Sequence, residues 1–264
     1  DKTVKEDGET HKLNLTYKIN PDAMIYATYS TGFRPGGINR RIGVNPYMAD
    51  TLDNYEIGVK TMWLDRKLTV NVTGYYEQWK DLQYGLSSAG SLGVISTYNA
   101  GNARIKGVEA DFALRVERFN LSGAATYIDA QLTTDFCPID ASGNPACTSP
   151  DVVAAPAGTR LPIQPKFKVN LTARQGFDIG EALAFVQGTV NHQSGTRSYL
   201  TDFEAGLLGP TKGFTTFDFS LGADMGRWTW EVFVQNAFDK RGVLTRNTAC
   251  GPSARAEECA TLPA

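Results

Sequence analysis

From about Leu13 to Phe238 the chain alternates apolar and polar side chains in stretches of about ten residues. Trp228-Thr229-Trp230-Glu231-Val232-Phe233-Val234-Gln235 is one such stretch, and Phe217-Asp218-Phe219-Ser220-Leu221-Gly222 is another. Successive side chains of a β-strand point to opposite faces, so each stretch predicts a strand with one apolar and one polar side. In a soluble sandwich the polar side meets bulk water; in a membrane barrel it lines a wet lumen. The orientation of these strands therefore decides the function.

Turn chemistry divides the pattern into hairpins. Residues 12–19 and 23–33 are joined by Asn20-Pro21-Asp22, where proline pre-sets φ and Asn or Asp bonds its own backbone. After a glycine-rich stretch over 34–50 come strands at 52–63 and 68–84, joined by Leu64-Asp65-Arg66-Lys67. A loop over 85–96 leads to residues 97–116, interrupted at Tyr98-Asn99-Ala100-Gly101-Asn102, and then through Glu117-Arg118 to 119–131. The longest loop, 132–164, precedes a hairpin of 166–177 and 183–192 closed by Asp178-Ile179-Gly180-Glu181. A loop over 195–213 leads to the last hairpin, 214–223 and 228–238, turning at Gly226. The total is about ten strands, each expected to pair antiparallel with its neighbours.

The connections alternate short and long along the whole chain. An up-and-down transmembrane barrel has short turns at one end and long loops at the other, whereas a Greek-key sandwich mixes them. Strands of about ten residues suit a tilted crossing of a ~30 Å hydrocarbon layer better than a globular domain. Phe167, Val169, Leu171 and Ala173 alternate with Lys166, Lys168, Asn170, Thr172 and Arg174. Such charges are costly inside a closed sandwich and ordinary in a water-filled lumen. Tyr29, Trp63, Tyr84, Tyr127 and Trp228 lie near strand ends and are candidates for interfacial girdles. The fold class expected is all-β, an antiparallel up-and-down transmembrane barrel.

Charge and cysteines refine this. The 264 residues carry 26 basic and 28 acidic side chains, a balance that does not favour nucleic acid as a partner. Cys137 and Cys147 share one long loop and Cys250 and Cys259 another, without metal-ligand spacing to His11 or His192. Two local disulfides in an oxidising compartment are expected. The chain starts at Asp1 without a leader and ends in a loop-like stretch, so it reads as a fragment of a longer protein.

Several segments resemble the barrel of TonB-dependent outer-membrane receptors. They are the run from Tyr26 through Gly32-Phe33-Arg34-Pro35-Gly36-Gly37; Asn54-Tyr55-Glu56-Ile57-Gly58-Val59-Lys60; and the junction Tyr98-Asn99-Ala100-Gly101-Asn102 ahead of Gly107-Val108-Glu109. Asn236-Ala237-Phe238-Asp239-Lys240 is similar to that family's penultimate strand and loop entry. The resemblance implies a barrel of about 22 strands with an N-terminal plug, of which residues 1–264 would be about the last half, short of the final strand. It implies TonB as a partner through regions upstream, outer-membrane lipid and lipopolysaccharide around the wall, and a small-molecule or metal-chelate ligand such as a ferric siderophore.

No catalytic motif is present: there is no HExxH, nucleophile elbow, P-loop or G-x-G-x-x-G. No resident cofactor or metal is expected, and Asp135, Asp140 and Asp151 lack calcium-loop spacing. Arg34, Arg40 and Arg41 in the first long loop are candidate ligand-binding residues, an electropositive mouth for anionic chelates. Because Arg34 lies in the family-like segment, an architectural role is expected for it. The leading expectation is active uptake of a scarce, bulky solute. A passive porin, distinguished by the lack of a plug, and a soluble or surface β-protein are the alternatives.

Overall fold

A computed structural model describes residues 6–40, 44–87, 95–137, 147 and 153–247. Ten strands form one antiparallel sheet in the order β1-β2-β3-β4-β7-β8-β9-β10-β11-β12. They are β1 Lys12–Asn20, β2 Ala23–Arg34, β3 Asp50–Trp63, β4 Leu68–Lys80, β7 Ala103–Val116, β8 Phe119–Leu132, β9 Phe167–Ile179, β10 Ala182–Gln193, β11 Phe214–Asp224 and β12 Thr229–Val234. Two short strands, β5 Gln83–Ser87 and β6 Ile95–Asn99, make a separate hairpin. Each strand of the large sheet pairs with its neighbour in that sheet, as an unclosed piece of barrel wall does.

The register sorts the side chains. Tyr17 faces Ile25, which faces Val59, which faces Val72, and all share one side. Leu13, Leu15, Tyr17, Ile19 and Ile57 on that side are exposed, as a lipid-facing surface requires. The other side is polar and bonded across strands. Asn71 Nδ2 donates to Asp111 Oδ2 at 2.8 Å, Asn170 Nδ2 to Asn191 Oδ1 at 2.5 Å, and Asn191 Nδ2 to Asp218 Oδ2 at 3.2 Å. Lys168, Asn170, Thr172 and Arg174 lie on this inward side, paired with Gln193, Asn191, Thr189 and Gln187. The sheet has no apolar core of its own. The buried cluster of Leu82, Ala100, Ala103, Leu132, Phe136, Ala155 and Leu200 sits at the loop end.

Four expectations are corrected. The strand expected to reach Tyr84 leaves the sheet at Lys80, because Asp81 adopts φ 53° and its N–H turns to Asn102 Oδ1 at 3.1 Å. The next residues become β5, and the chain rejoins the sheet at Ala103. Tyr84 is no girdle residue: it packs against the loop cluster and accepts a hydrogen bond from Leu200 N at 3.2 Å. The last strand ends at Val234 rather than Phe238, since Asn236 takes φ 48° and closes a turn. A helix, α1 Asp202–Leu208, stands in the stretch over 195–213 that was expected to be loop. The sequence carried a signal for it: Thr201 and Glu204 have capping-box spacing, and the Thr201 hydroxyl bonds the Glu204 carboxylate.

Candidate functional site

The functional end of the sheet is the one that gathers the loops. Short turns close β1–β2, β3–β4, β7–β8, β9–β10 and β11–β12, so every long connection lies at the opposite end. There the segments pack into one body. Asn39 Nδ2 donates to Asn45 O and Thr97 O at 2.8 and 2.9 Å, and its Oδ1 accepts from Thr97 N at 2.7 Å. That clamp fastens the β2–β3 loop to β6. Arg197 donates to Tyr199 O at 2.7 Å and Leu200 O at 2.8 Å, while its own carbonyl accepts from Ile163 N at 2.7 Å. The β10–β11 loop is thereby held to the end of the β8–β9 loop.

The junction Tyr98–Asn102 is the knot of this body. Ala100 is fully buried and its N–H donates to Leu82 O, while the Leu82 N–H donates to Gly101 O. Gly101 has φ 84°, and an added Cβ would strike the Thr134 hydroxyl, so only glycine fits. Asn99 accepts from Met48 N at 2.8 Å and donates to Asp81 O at 2.7 Å and Met48 O at 3.0 Å. Asn102 caps Asp81, and its N–H donates to Thr134 Oγ1 at 2.8 Å. Three connections meet here.

Of the three arginines, Arg34 ends β2 and its guanidinium grips the Asp50 carboxylate, with Nε–O distances of 2.9 and 3.0 Å. Asp50 is buried and also accepts from Gln83 N at 3.1 Å, while the guanidinium lies 4.9 Å from the Trp79 ring centre. Gln83 Nε2 donates to Pro35 O at 3.0 Å, and Gly36 N bonds the Glu6 carboxylate. Arg40 lies exposed in the loop, whereas Arg41 lies outside the described residues. Gly32 lies beside the Leu52 side chain, and the Phe33 ring lies against Gly8.

Cys137 and Cys147 form a disulfide directly after buried Phe136. Cys250 and Cys259 lie outside the described residues, as do Asp140 and Asp151; Asp135 accepts from Ala157 N at 2.7 Å. Among the described residues no group of His, Cys, Asp and Glu could hold a metal ion.

Below the loops, the inward face holds a pocket of about 500 Å³ lined by Glu56, Tyr75, Glu77, Trp79 and Glu109. Three carboxylates on one wall favour cationic groups in whatever fills the lumen. Gly107 sits under Tyr75 beside it. Asp50, Asn39, Arg197 and Glu77 carry much of this end, yet single polar residues in loops and strands gave no sequence signal for it. At the far edge, Asn236 Oδ1 accepts from Lys240 N at 2.9 Å, and Asp239, φ 45°, donates its N–H to Asn236 O at 2.8 Å. Phe238 packs edge-on against Phe217 and Phe219, ring centres 5.4 and 6.4 Å apart.

Residues 1–237 match the family model for the β-barrel of TonB-dependent receptor-like proteins. The metal-pseudopaline receptor CntO of Pseudomonas aeruginosa is 28% identical over 127 residues, covering 48% of this chain and 17% of that protein. A probable TonB-dependent siderophore receptor, PiuA of Acinetobacter baumannii, is 25% identical over 144 residues, 50% of this chain and 18% of its own length. The ferric yersiniabactin uptake receptor FyuA of Yersinia pestis superposes with a TM-score of 0.68 at 22% identity, over 90% of this chain and 34% of that one. The chain thus spans less than a fifth of these curated relatives and about a third of that solved structure.

Proposed function

Because the chain belongs to the family of TonB-dependent receptor-like β-barrels, we propose that it forms part of the wall of an active-transport receptor. On this reading the parent protein binds a scarce, bulky solute outside the cell and passes it to the periplasm with energy delivered through TonB. The wall itself is an outer-membrane barrel wall, its apolar side turned to lipid and its polar side to the lumen. The observation that carries the reading is the asymmetry of the two ends. One end has only tight turns; the other has four long connections, three sharing a buried core and the β2–β3 loop bonded to them, a fixed mouth above an acidic wall.

The names of the similar proteins, receptors for metal-pseudopaline and ferric yersiniabactin, support a metal chelate as the solute. Residues 1–264 are read as a partial barrel domain whose plug, leader and final strand belong to other parts of the parent, TonB acting through the upstream regions. Arg34 serves architecture through Asp50, and Arg40 with Arg41 supplies positive charge at the rim for anionic chelates. The chemistry is capture and passage, not bond making.

The test is uptake of iron-loaded siderophores by cells expressing the intact parent, with and without TonB. Uptake that disappears without TonB supports active transport. Uptake that persists would make the barrel a passive pore.

A further inference from the structure

We propose that the lumen wall of β9 and β10, just below the mouth, holds a site for the carboxylate groups of an anionic solute, an inference that rests on the transport reading. The inward charges are sorted by strand. Glu56 faces inward on β3, Glu77 on β4, and Glu109 and Asp111 on β7. Beyond β8 the sign reverses, because Lys168 and Arg174 point inward from β9. Thr126 and Asn120 stand opposite them on β8, and Gln193 and Gln187 on β10. The inward positions of β8 and β10 carry no acidic side chain among the described residues, and Asp178, at the turn end of β9, is held by Arg118.

Lys168 stands where a ligand from the mouth would meet it. It lies at the loop end of β9, and a hollow of about 270 Å³ opens there, lined by Thr126, Lys168, Asn170, Asn191, Gln193 and Phe214. The two asparagines are fixed in place: Asn170 Nδ2 donates to Asn191 Oδ1 at 2.5 Å, and Asn191 Nδ2 to Asp218 Oδ2 at 3.2 Å. The cation is not. Lys80 and Lys106 rest on Asp53 and Asp129, whereas the Lys168 ammonium forms neither an ion pair nor a hydrogen bond among the described residues. An ammonium offers three N–H donors and the neighbouring Gln193 amide two more, so a carboxylate in the hollow finds donors from two strands.

The same strand continues this chemistry down the lumen. Arg174 lies about 20 Å further along β9 at the usual rise of a strand, its guanidinium 3.4 Å from the Phe185 ring centre. Asn170 and Thr172 stand between the two cations, and Thr172 is bonded to Thr189 at 2.9 Å. An anion leaving Lys168 thus meets a polar wall and then a second cation, while the carboxylates of β3, β4 and β7 repel it. The charge pattern gives passage a preferred side.

The test uses the intact parent protein in detergent and two aldehyde probes, pyridoxal 5′-phosphate and pyridoxal. Each condenses with a lysine amine, releasing water, to an imine that borohydride reduces to a stable secondary amine, but only the phosphate ester carries an oxyanion. Peptide mass spectrometry reads the labelled lysine. Lys168 is expected to react at least tenfold faster with the phosphate ester, and Lys80 and Lys106, each already beside a carboxylate, less than threefold faster. Millimolar citrate should protect Lys168 where sodium chloride of equal ionic strength does not. Gln193→Glu sets a carboxylate directly beside Lys168 and should abolish the preference; if that variant does not fold, Thr126→Glu does the same from β8. Equal rates for the two probes, an unchanged preference in the glutamate variant, or protection by salt equal to that by citrate would overturn the site. So would a Lys168 that neither probe reaches in the intact parent, covered by another part of the protein. Solute uptake that persists without TonB would instead overturn the transport reading alone, since the labelling result does not depend on it.

Discussion

The Tyr75 ring lies across Gly107, its direct partner on the neighbouring strand, in the space a side chain at 107 would need. A Cβ added there would fall within 2.5 Å of Tyr75 Cζ and 2.7 Å of Tyr127 O. Tyr26 covers Gly58 in the same way. Flat aromatics over cross-strand glycines fill the inward face without crowding the lumen and restore packing that glycine lacks. Gly107→Ala is therefore expected to cost about 1–3 kcal/mol, the usual range for overpacking. Urea unfolding of the intact parent in lipid vesicles would measure it. A Tyr75→Ala background should remove the part of that cost set by the ring and leave the part set by the Tyr127 carbonyl; a cost that is the same in both backgrounds would contradict the packing account.

Asp50 is the buried centre of the rim, bonded to Arg34 and to Gln83 N. Replacing it by alanine strands the Gln83 N–H and frees a half-exposed guanidinium, a loss of about 1–3 kcal/mol. Because the bonds join the β2–β3 loop to the start of β5, the effect should be local. Limited proteolysis of Asp50→Ala is expected to cut the mouth loops several times faster while the sheet stays protected. Cleavage at the wild-type rate would mean that the pair holds nothing.

The strand pattern, the hairpin order and the alternation of turn and loop lengths were legible because each residue on a two-sided sheet records its own face. The break at Tyr98–Asn102 was legible too, through its Gly and Asn residues. What was not legible is the packing among the loops. Asp81 leaves the sheet through a positive φ that the sequence does not announce, so Gln83 and Tyr84 read as more of β4 and the rest of β5 as loop. Tyr84 looks like any strand-end aromatic until Phe136 and Leu200 are seen beside it, and burial there lifts its phenol above the ordinary value. Asn39 and Arg197 hold contacts far away in sequence, which no local pattern reports. Arg34 stood out by its motif, but its partner Asp50 did not.

The Cys137–Cys147 link closes a loop with a sequence separation of 10. In the loop-closure account, a link of that length constrains the unfolded segment by about 3 kcal/mol. Mass-tagging with a maleimide should leave both cysteines unlabelled until reductant is added. The Cys137→Ser/Cys147→Ser variant should lose protection of the loop after Phe136, while strand pairing is unchanged. Labelling of either thiol in oxidised outer membranes would contradict the link.

Asn236 closes the turn after β12 with both ends of its amide, Oδ1 to Lys240 N at 2.9 Å and Nδ2 to Lys240 O at 3.2 Å. Its φ of 48° is one that asparagine tolerates better than most residues. Asn236→Ala should cost about 1–2 kcal/mol through the lost bonds and the disfavoured backbone. Hydrogen exchange of the Lys240 amide should rise accordingly, while that of β10 amides stays constant.

The orientation of the sheet underlies every functional statement made for this chain, and β9 tests it most directly. Single cysteines at Lys168, Val169, Asn170, Leu171 and Thr172 of the intact parent, each carrying a fluorophore and reconstituted in bilayers, would be exposed to a lipid-phase quencher. Strong quenching at 169 and 171 and weak quenching at 168, 170 and 172 is the expected result. Uniform quenching, or the opposite alternation, would contradict a barrel wall with its apolar side in lipid.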